Sequence, residues 1–262
     1  MVLQTCSLIV AAVLVSSCSE PVPTFSSTSP GANIAVMRAT PDIFKQYNRT
    51  GNATMAKSWT RNIDTSGIAF DHKKTLTLIT PRHVVMAKHY KRPTGSKAVF
   101  HGRGGEFAER TLIKVVNAAS DISVGLLDSP LPAAYRSYAL PRASADLLGG
   151  IIGWPVYLTD QNRRIFVHRI AGIRGPMIVF RHPPERAAGY SKNLVSGDSG
   201  NPSFILNRGQ PVLIETHTTG GPGAGPYYGN PIIQESIINA VRTLDPNYQI
   251  RTVPIDLREG AP

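Results

Sequence analysis

The chain has 262 residues, and its 28 Lys and Arg outweigh 17 Asp and Glu to give a formal net charge of +11. That length can bury two hydrophobic cores after an N-terminal leader is removed, but its only cysteines, Cys6 and Cys18, leave the folded body without disulfides. No metal-ligand constellation, phosphate loop or nucleic-acid motif is present, so no cofactor, no metal and no nucleic-acid partner is expected.

Leu8 to Val15 is an apolar run of signal-peptide length, too short to span a bilayer. The Val15-Ser16-Ser17-Cys18 that follows resembles the bacterial lipobox, which implies lipidation at Cys18 and anchoring on the periplasmic or extracellular face. No Lys or Arg occurs in the first five residues, and the alternative is a secreted chain in which Cys18 is incidental. Residues 1–18 are thus read as a signal peptide and the Pro- and Ser-rich residues 19–32 as a flexible tether. Ile34 to Met37 suggests a strand and Pro41 to Tyr47 a helical turn.

Residues 66–70 and 75–80 form a predicted hairpin across Asp71-His72-Lys73-Lys74. The alternation of Thr75 to Thr80 marks a half-buried strand, with Pro81-Arg82-His83 at its end. Lys97 to His101, Arg110 to Val116 and Ile122 to Leu127 are the next strands. Asp121 precedes the last of these, and an acid at the edge of a buried run usually has a partner. Pro130, Pro132 and Pro141 punctuate a crossover, and strands resume at Gly153–Leu158, Arg164–Ile170, Met177–Phe180, Ser203–Leu206 and from Val212.

Between them lies Gly197-Asp198-Ser199-Gly200-Asn201-Pro202. A hydroxyl flanked by residues this permissive can sit on a tight loop whose amides converge on one point. Such a serine becomes a nucleophile only when an imidazole takes its proton and a carboxylate orients that imidazole. The Thr-Pro-Arg-His, Asp-Ile-Ser-Val-Gly-Leu-Leu and Gly-Asp-Ser-Gly-Asn-Pro runs together resemble the trypsin-like (chymotrypsin-fold) serine peptidases, over about residues 55 to 245. The resemblance implies an all-β fold of two six-stranded antiparallel Greek-key barrels, residues 33–140 and 141–246, with a C-terminal helix closing the second.

It also implies a triad of His83, Asp121 and Ser199, with the Gly197 and Ser199 amides as oxyanion donors. The separations of 38 and 78 residues, in the order His, Asp, Ser, suit two such barrels. Asn193, Leu194, His217, Thr218, Thr219 and Gly220 fall on the substrate-binding segments. His217 looks like the histidine with which glutamyl endopeptidases meet an acidic P1 side chain, although Leu194 stands where those enzymes offer a hydroxyl. An acidic or amide P1, a small apolar P1, and a purely structural His217 all stay open. No basic residue precedes an Ile-Val-Gly-Gly-like start, so Asp198 must find a partner other than a freed N-terminal amine or stay solvated, and activity is expected without a second cleavage.

Asn230 and Pro231 are a helix start, and Ile233, Ile237, Val241 and Leu244 recur at helical spacing until Asp245-Pro246. Residues 247–262 are read as a loose tail. The reading is a monomeric, exported endopeptidase acting on proteins or peptides and held at a membrane through Cys18. The alternative is an idle peptidase-fold module that binds extended peptides or envelope polymers. The excess charge is taken as dispersed over solvated surface, or else as a basic face involving Lys88, Lys91 and Arg92, or Arg163, Arg164 and Arg169, that attracts anionic partners.

Overall fold

The computed structural model describes residues 40–144, 147–184 and 190–258. The expected leader, the Cys18 anchor, the tether and the strand at Ile34 to Met37 lie outside the described residues. The described residues form sixteen strands, numbered in chain order. A first pair, β1 (Phe44–Gln46) and β2 (Thr54–Met55), precedes the first large sheet. That sheet holds β3 (Ile68–Ala69), β4 (Leu76–Leu78), β5 (His83–Ala87), β6 (Lys97–His101), β7 (Phe107–Asn117) and β8 (Ile122–Leu127). After β9 (Leu140–Pro141), the second holds β10 (Pro155–Thr159), β11 (Ile165–Arg174), β12 (Met177–Arg181), β13 (Pro202–Asn207), β14 (Gln210–Thr216) and β15 (Ala224–Pro226).

Both six-stranded sheets are antiparallel. The first runs β3-β4-β5-β8-β7-β6 and the second β14-β13-β10-β11-β12-β15. Contacts of β3 with β6 and of β14 with β15 roll each sheet toward closure, and around the ring both follow the same cyclic strand order. The two-barrel, all-β fold expected from the sequence is therefore present, with one long helix at its C-terminal end.

Period-two alternation separates the cores. Leu76, Leu78, Val84, Met86, Phe100 and Leu112 fill the first barrel, and Val156, Leu158, Ile170, Phe180, Ile205 and Ile214 fill the second. The opposite faces carry a third cluster between the barrels, in which Val85, Val124 and Tyr138 join Tyr157, Phe204 and Leu213. Burying each such side chain contributes about 1.5–3 kcal/mol, so the barrels are fixed against each other by core-like packing.

The C-terminal helix spans Pro231–Leu244, as its sequence pattern predicts. The Asn230 side chain accepts from the amides of Ile232 and Ile233 at 3.0 and 3.3 Å, and Ile233, Ile237, Val241 and Leu244 are buried.

Three expectations are corrected. Pro41 to Tyr47 is not a helical turn: Ile165 donates to the Pro41 carbonyl, Ile43 donates to Arg163, and buried Ile43 leads into β1. That segment lies on the β10–β11 hairpin, so the first described residues of the unit expected over residues 33–140 are docked on the second barrel. The C-terminal stretch is not loose as far as Arg258, the last described residue. In it β16 (Thr252–Val253) pairs in parallel with β9, and Asp256 accepts from Arg258 while its own amide donates to Asn207. The amides of Leu140 and Arg142 in the crossover need acceptors, and the Arg251 and Val253 carbonyls supply them at 2.9 and 2.7 Å.

Candidate active site

Strand β5 brings the first barrel to the cleft. Its last residue, Ala87, pairs with Ile122, the first residue of β8, so the residues just beyond these two ends are neighbours. Lys88 donates its amide to the Asp121 carbonyl at 3.0 Å as the chain turns through the 3₁₀ segment Lys88–Tyr90. Within that turn the His89 amide donates to Asp121 Oδ1 at 2.9 Å, and His89 Nδ1 bonds to Asp121 Oδ2. His89 Nε2 lies 2.9 Å from Ser199 Oγ.

Ser, His and Asp are thus assembled, but the histidine is His89 and not His83. A carboxylate oxygen only accepts, so Nδ1 carries its hydrogen and Nε2 of the neutral ring is free to take the Ser199 proton. His83 opens β5, opposite Leu126. Ala87 is four residue steps further along the strand, roughly 13 Å along the barrel wall. It is wholly buried, its Nδ1 lies 2.8 Å from Thr80 Oγ1, and its ring packs edge-on against Tyr248 at 5.5 Å. Burial drives its pKa down to about 4, with Asp245 opposing and Arg82 assisting. The four residues of β5 after His83 are apolar, and their register against β8 sets His83 inside the wall and His89 just beyond its edge.

Ser199 sits where both sequence and chemistry require. The amide of Asp198 donates to the Val195 carbonyl at 3.0 Å, closing a turn whose third residue, Gly197, has φ +96°, a value that demands glycine there. Gly200 also has positive φ, and a Cβ on it would lie 3.3 Å from the Ala87 amide, which shows how closely the nucleophile loop approaches the end of β5. The amides of Gly197 and Ser199 donate to no partner among the described residues. Asn201 ties the loop across the cleft by accepting from Thr75 Oγ1 at 3.1 Å.

Asp198 is buried and has a cation. Lys192 Nζ lies 3.0 Å from Asp198 Oδ2 and 2.9 Å from Asp160 Oδ2, and Asp160 is also held by Arg164. The Val195 and Gln161 amides complete the shell of Asp198 at 2.9 and 3.2 Å. Burial pushes the Asp198 pKa upward, but the Val195 amide, the Lys192 ammonium and the Gln161 amide outweigh it and hold the carboxyl below its ordinary range. The partner left open by the sequence is an internal lysine, for which no motif gave a signal.

The substrate-binding candidates divide. Leu194 and Gly221 exchange backbone bonds of 2.7 and 3.0 Å, joining the Asn193–Leu194 wall to the Thr218–Gly220 wall. Asn193 is exposed, with Oδ1 2.8 Å from His182 Nε2. Thr218 and Thr219 both donate to the Ala224 carbonyl. His217 does not open on the cleft. It is 1% exposed, with Nε2 3.1 Å from the Thr159 carbonyl and Nδ1 2.8 Å from Glu215 Oε1. Both ring nitrogens are enclosed by the wall, Nδ1 also lying 3.4 Å from the Ser203 hydroxyl, so neither is presented to an acidic substrate side chain. Glu215, which the sequence did not single out, reaches the inner face of Gly225, where a Cβ would lie 2.0 Å from Oε2.

A cavity of about 650 Å³, lined in part by Tyr135, Arg136, Arg208, Gln210 and Arg251, is lined by none of Ser199, His89 and Asp121. No protein-family model matches this chain, and no curated protein matches it.

Proposed function

We propose that the protein is a serine endopeptidase of the trypsin-like kind. The reading is carried by one observation: Ser199 Oγ, His89 and Asp121 lie in hydrogen-bonded series at the junction of the two barrels. Ser199 attacks the scissile carbonyl as its proton passes to His89 Nε2, and Asp121 holds the ring's tautomer and the imidazolium that forms. The Gly197 and Ser199 amides receive the oxyanion, each such donor being worth about 2.7–4 kcal/mol in the transition state. His89 then protonates the leaving amine, and water repeats the cycle on the acyl-enzyme. The joined walls at Leu194 and Gly221, together with the committed His217, favour a small, uncharged P1 residue.

The apolar run at Leu8 to Val15 and the Ser-Ser-Cys before residue 19 support export and anchoring through Cys18. Among the described residues no helix is long and apolar enough to cross a membrane. Fluorophosphonate labelling of a soluble form beginning after Cys18 tests the mechanism. Wild type takes the probe, and Ser199→Ala and His89→Ala do not. A folded wild type that fails to label overturns the peptidase reading in favour of a binding module.

A further inference from the structure

We propose that the lysines around His89 select substrates with acidic residues on the leaving-group side of the scissile bond. This rests on the peptidase reading above and adds a substrate class to it. Lys88 and Lys91 are exposed on either side of His89, and Lys73 and Lys74 occupy the turn between β3 and β4. The two segments touch: Arg92 Nε donates to the Lys74 carbonyl at 2.5 Å, and Lys74 Nζ lies 5.3 Å from the centre of the Tyr90 ring. The β3–β4 turn also abuts the nucleophile loop, through the bond from Thr75 to Asn201.

The carboxylates of this region are already used. Asp71 is buried in a two-pronged pair with Arg92, at 2.9 and 3.0 Å, and Asp121 is bound to His89. Arg92 therefore leaves the basic face that the sequence suggested, and Arg164 leaves the other one by pairing with Asp160. Lys73, Lys74, Lys88 and Lys91 have no carboxylate partner among the described residues. His72 adds no charge at neutral pH: its Nδ1 accepts from the Lys74 amide, and burial lowers its pKa, as do Arg92 and Lys74.

Position gives the charge its meaning. The general acid must touch the departing nitrogen, so the chain that follows that nitrogen has to run past His89. None of these four ammonium groups is neutralised by a carboxylate among the described residues, although Lys91 Nζ reaches Asn117 Oδ1 at 3.5 Å and Lys74 sits over Tyr90. The two segments that carry them flank the path of the two or three residues after the scissile bond. Carboxylates there supply the missing counter-charges and are drawn in from solution, an effect that salt weakens.

The test uses matched pairs of fluorogenic peptides that differ only in carrying Asp and Glu, or Asn and Gln, at the second and third positions after the cleaved bond. Wild type hydrolyses the acidic member with a kcat/KM roughly tenfold higher in 25 mM NaCl, falling to about twofold in 500 mM NaCl. The acidic-to-neutral ratio collapses toward one when Lys73, Lys74, Lys88 and Lys91 are all replaced by Gln, and returns when they are replaced by Arg. Taking the ratio within each variant cancels any general loss of activity. Binding of the same peptides to Ser199→Ala, read by fluorescence anisotropy, needs no turnover and reports on the surface even if the peptidase reading fails. Equal affinity for both members of the pair overturns the inference. So does a preference that survives the Gln substitutions. A free anionic polymer that binds the four-lysine face while the peptide ratio stays at one assigns the surface to a different partner and also overturns it.

Discussion

The two ends of strand β5 place histidines six residues apart in opposite chemical settings. At its start, His83 is wholly buried between a threonine hydroxyl and a tyrosine ring, with Nε2 lacking a hydrogen-bond partner. Just past its other end, the His89 side chain is 46% exposed and bonded on one side to a carboxylate and on the other to a hydroxyl. Burial alone makes an imidazole inert as a base, because it holds the ring neutral and gives the proton no path. Partial exposure beside an acid makes it useful. The difference is set by where the strand ends, not by any local property of the histidine.

Removing the ring at each end should give opposite results. His89→Ala is expected to lower kcat/KM by about 10⁴–10⁶-fold, the usual cost of losing a member of a triad that works as a unit, while the thermal midpoint stays close to wild type. Steady-state hydrolysis and fluorophosphonate labelling check it. A smaller loss follows if the other half of the site is loosened and β5 is left alone. Lys192→Met leaves the buried Asp198 without its cation, while Asp160 keeps Arg164, and an uncompensated buried charge costs about 3–5 kcal/mol. Labelling of Ser199 should slow about 100-fold at a temperature where the variant is still folded, because the amides of Gly197 and Ser199 lose their fixed direction.

His83→Ala should instead leave kcat/KM within a few-fold of wild type and cost about 2–4 kcal/mol of stability, through a cavity in the wall and the loss of the Thr80 bond. Urea unfolding measures the cost. A triad-sized loss of activity in this variant, with the protein folded, would restore His83 to the mechanism and break the contrast.

The barrels, the closing helix and Ser199 with Asp121 were legible in the sequence, because alternation, proline punctuation and the Gly-Asp-Ser-Gly loop are local signals. The histidine was misassigned because Thr-Pro-Arg-His looks like a strand end, whereas the Ile79 and Thr80 amides both bond to the His83 carbonyl and make it a hairpin turn. Telling His83 from His89 required knowing which residue of β5 faces Ile122, and register is a property of two strands. Lys192 and the parallel pairing of Thr252–Val253 were invisible for the same reason, since each is defined by a partner distant in the chain. Pro41 to Tyr47 misled because its pattern is short, and docking on the β10–β11 hairpin decided its conformation.

Acid should expose the buried end. An unfolded histidine takes up a proton near pH 6.5, whereas His83 does so only near about 4, so in that window the unfolded chain binds the extra proton. Stability therefore falls as pH drops from about 6.5 to about 4 and levels off below. His168 behaves alike, its pKa lowered to about 4 by burial in the second barrel, although the Pro222 carbonyl opposes the shift. Replacing His83 by Leu should remove about half of the acid-side loss, of order 2 kcal/mol, in denaturation curves taken from pH 7 to 4. The acid limb of kcat/KM should not move with it.

The smallest effect isolates the bond that orients His83. Thr80 Oγ1 accepts from the amides of Arg82 and His83, at 3.2 and 3.0 Å, and meets His83 Nδ1 at 2.8 Å. Thr80→Val keeps the shape and removes the hydroxyl, leaving a buried ring nitrogen and two turn amides short of a partner. A loss of about 1–2 kcal/mol in urea unfolding is expected, with kcat/KM and Ser199 labelling unchanged. If Thr80→Val slowed labelling as much as it lowered stability, the start of β5 would be coupled to its end, and the strand could not be treated as a rigid spacer between a structural histidine and a catalytic one.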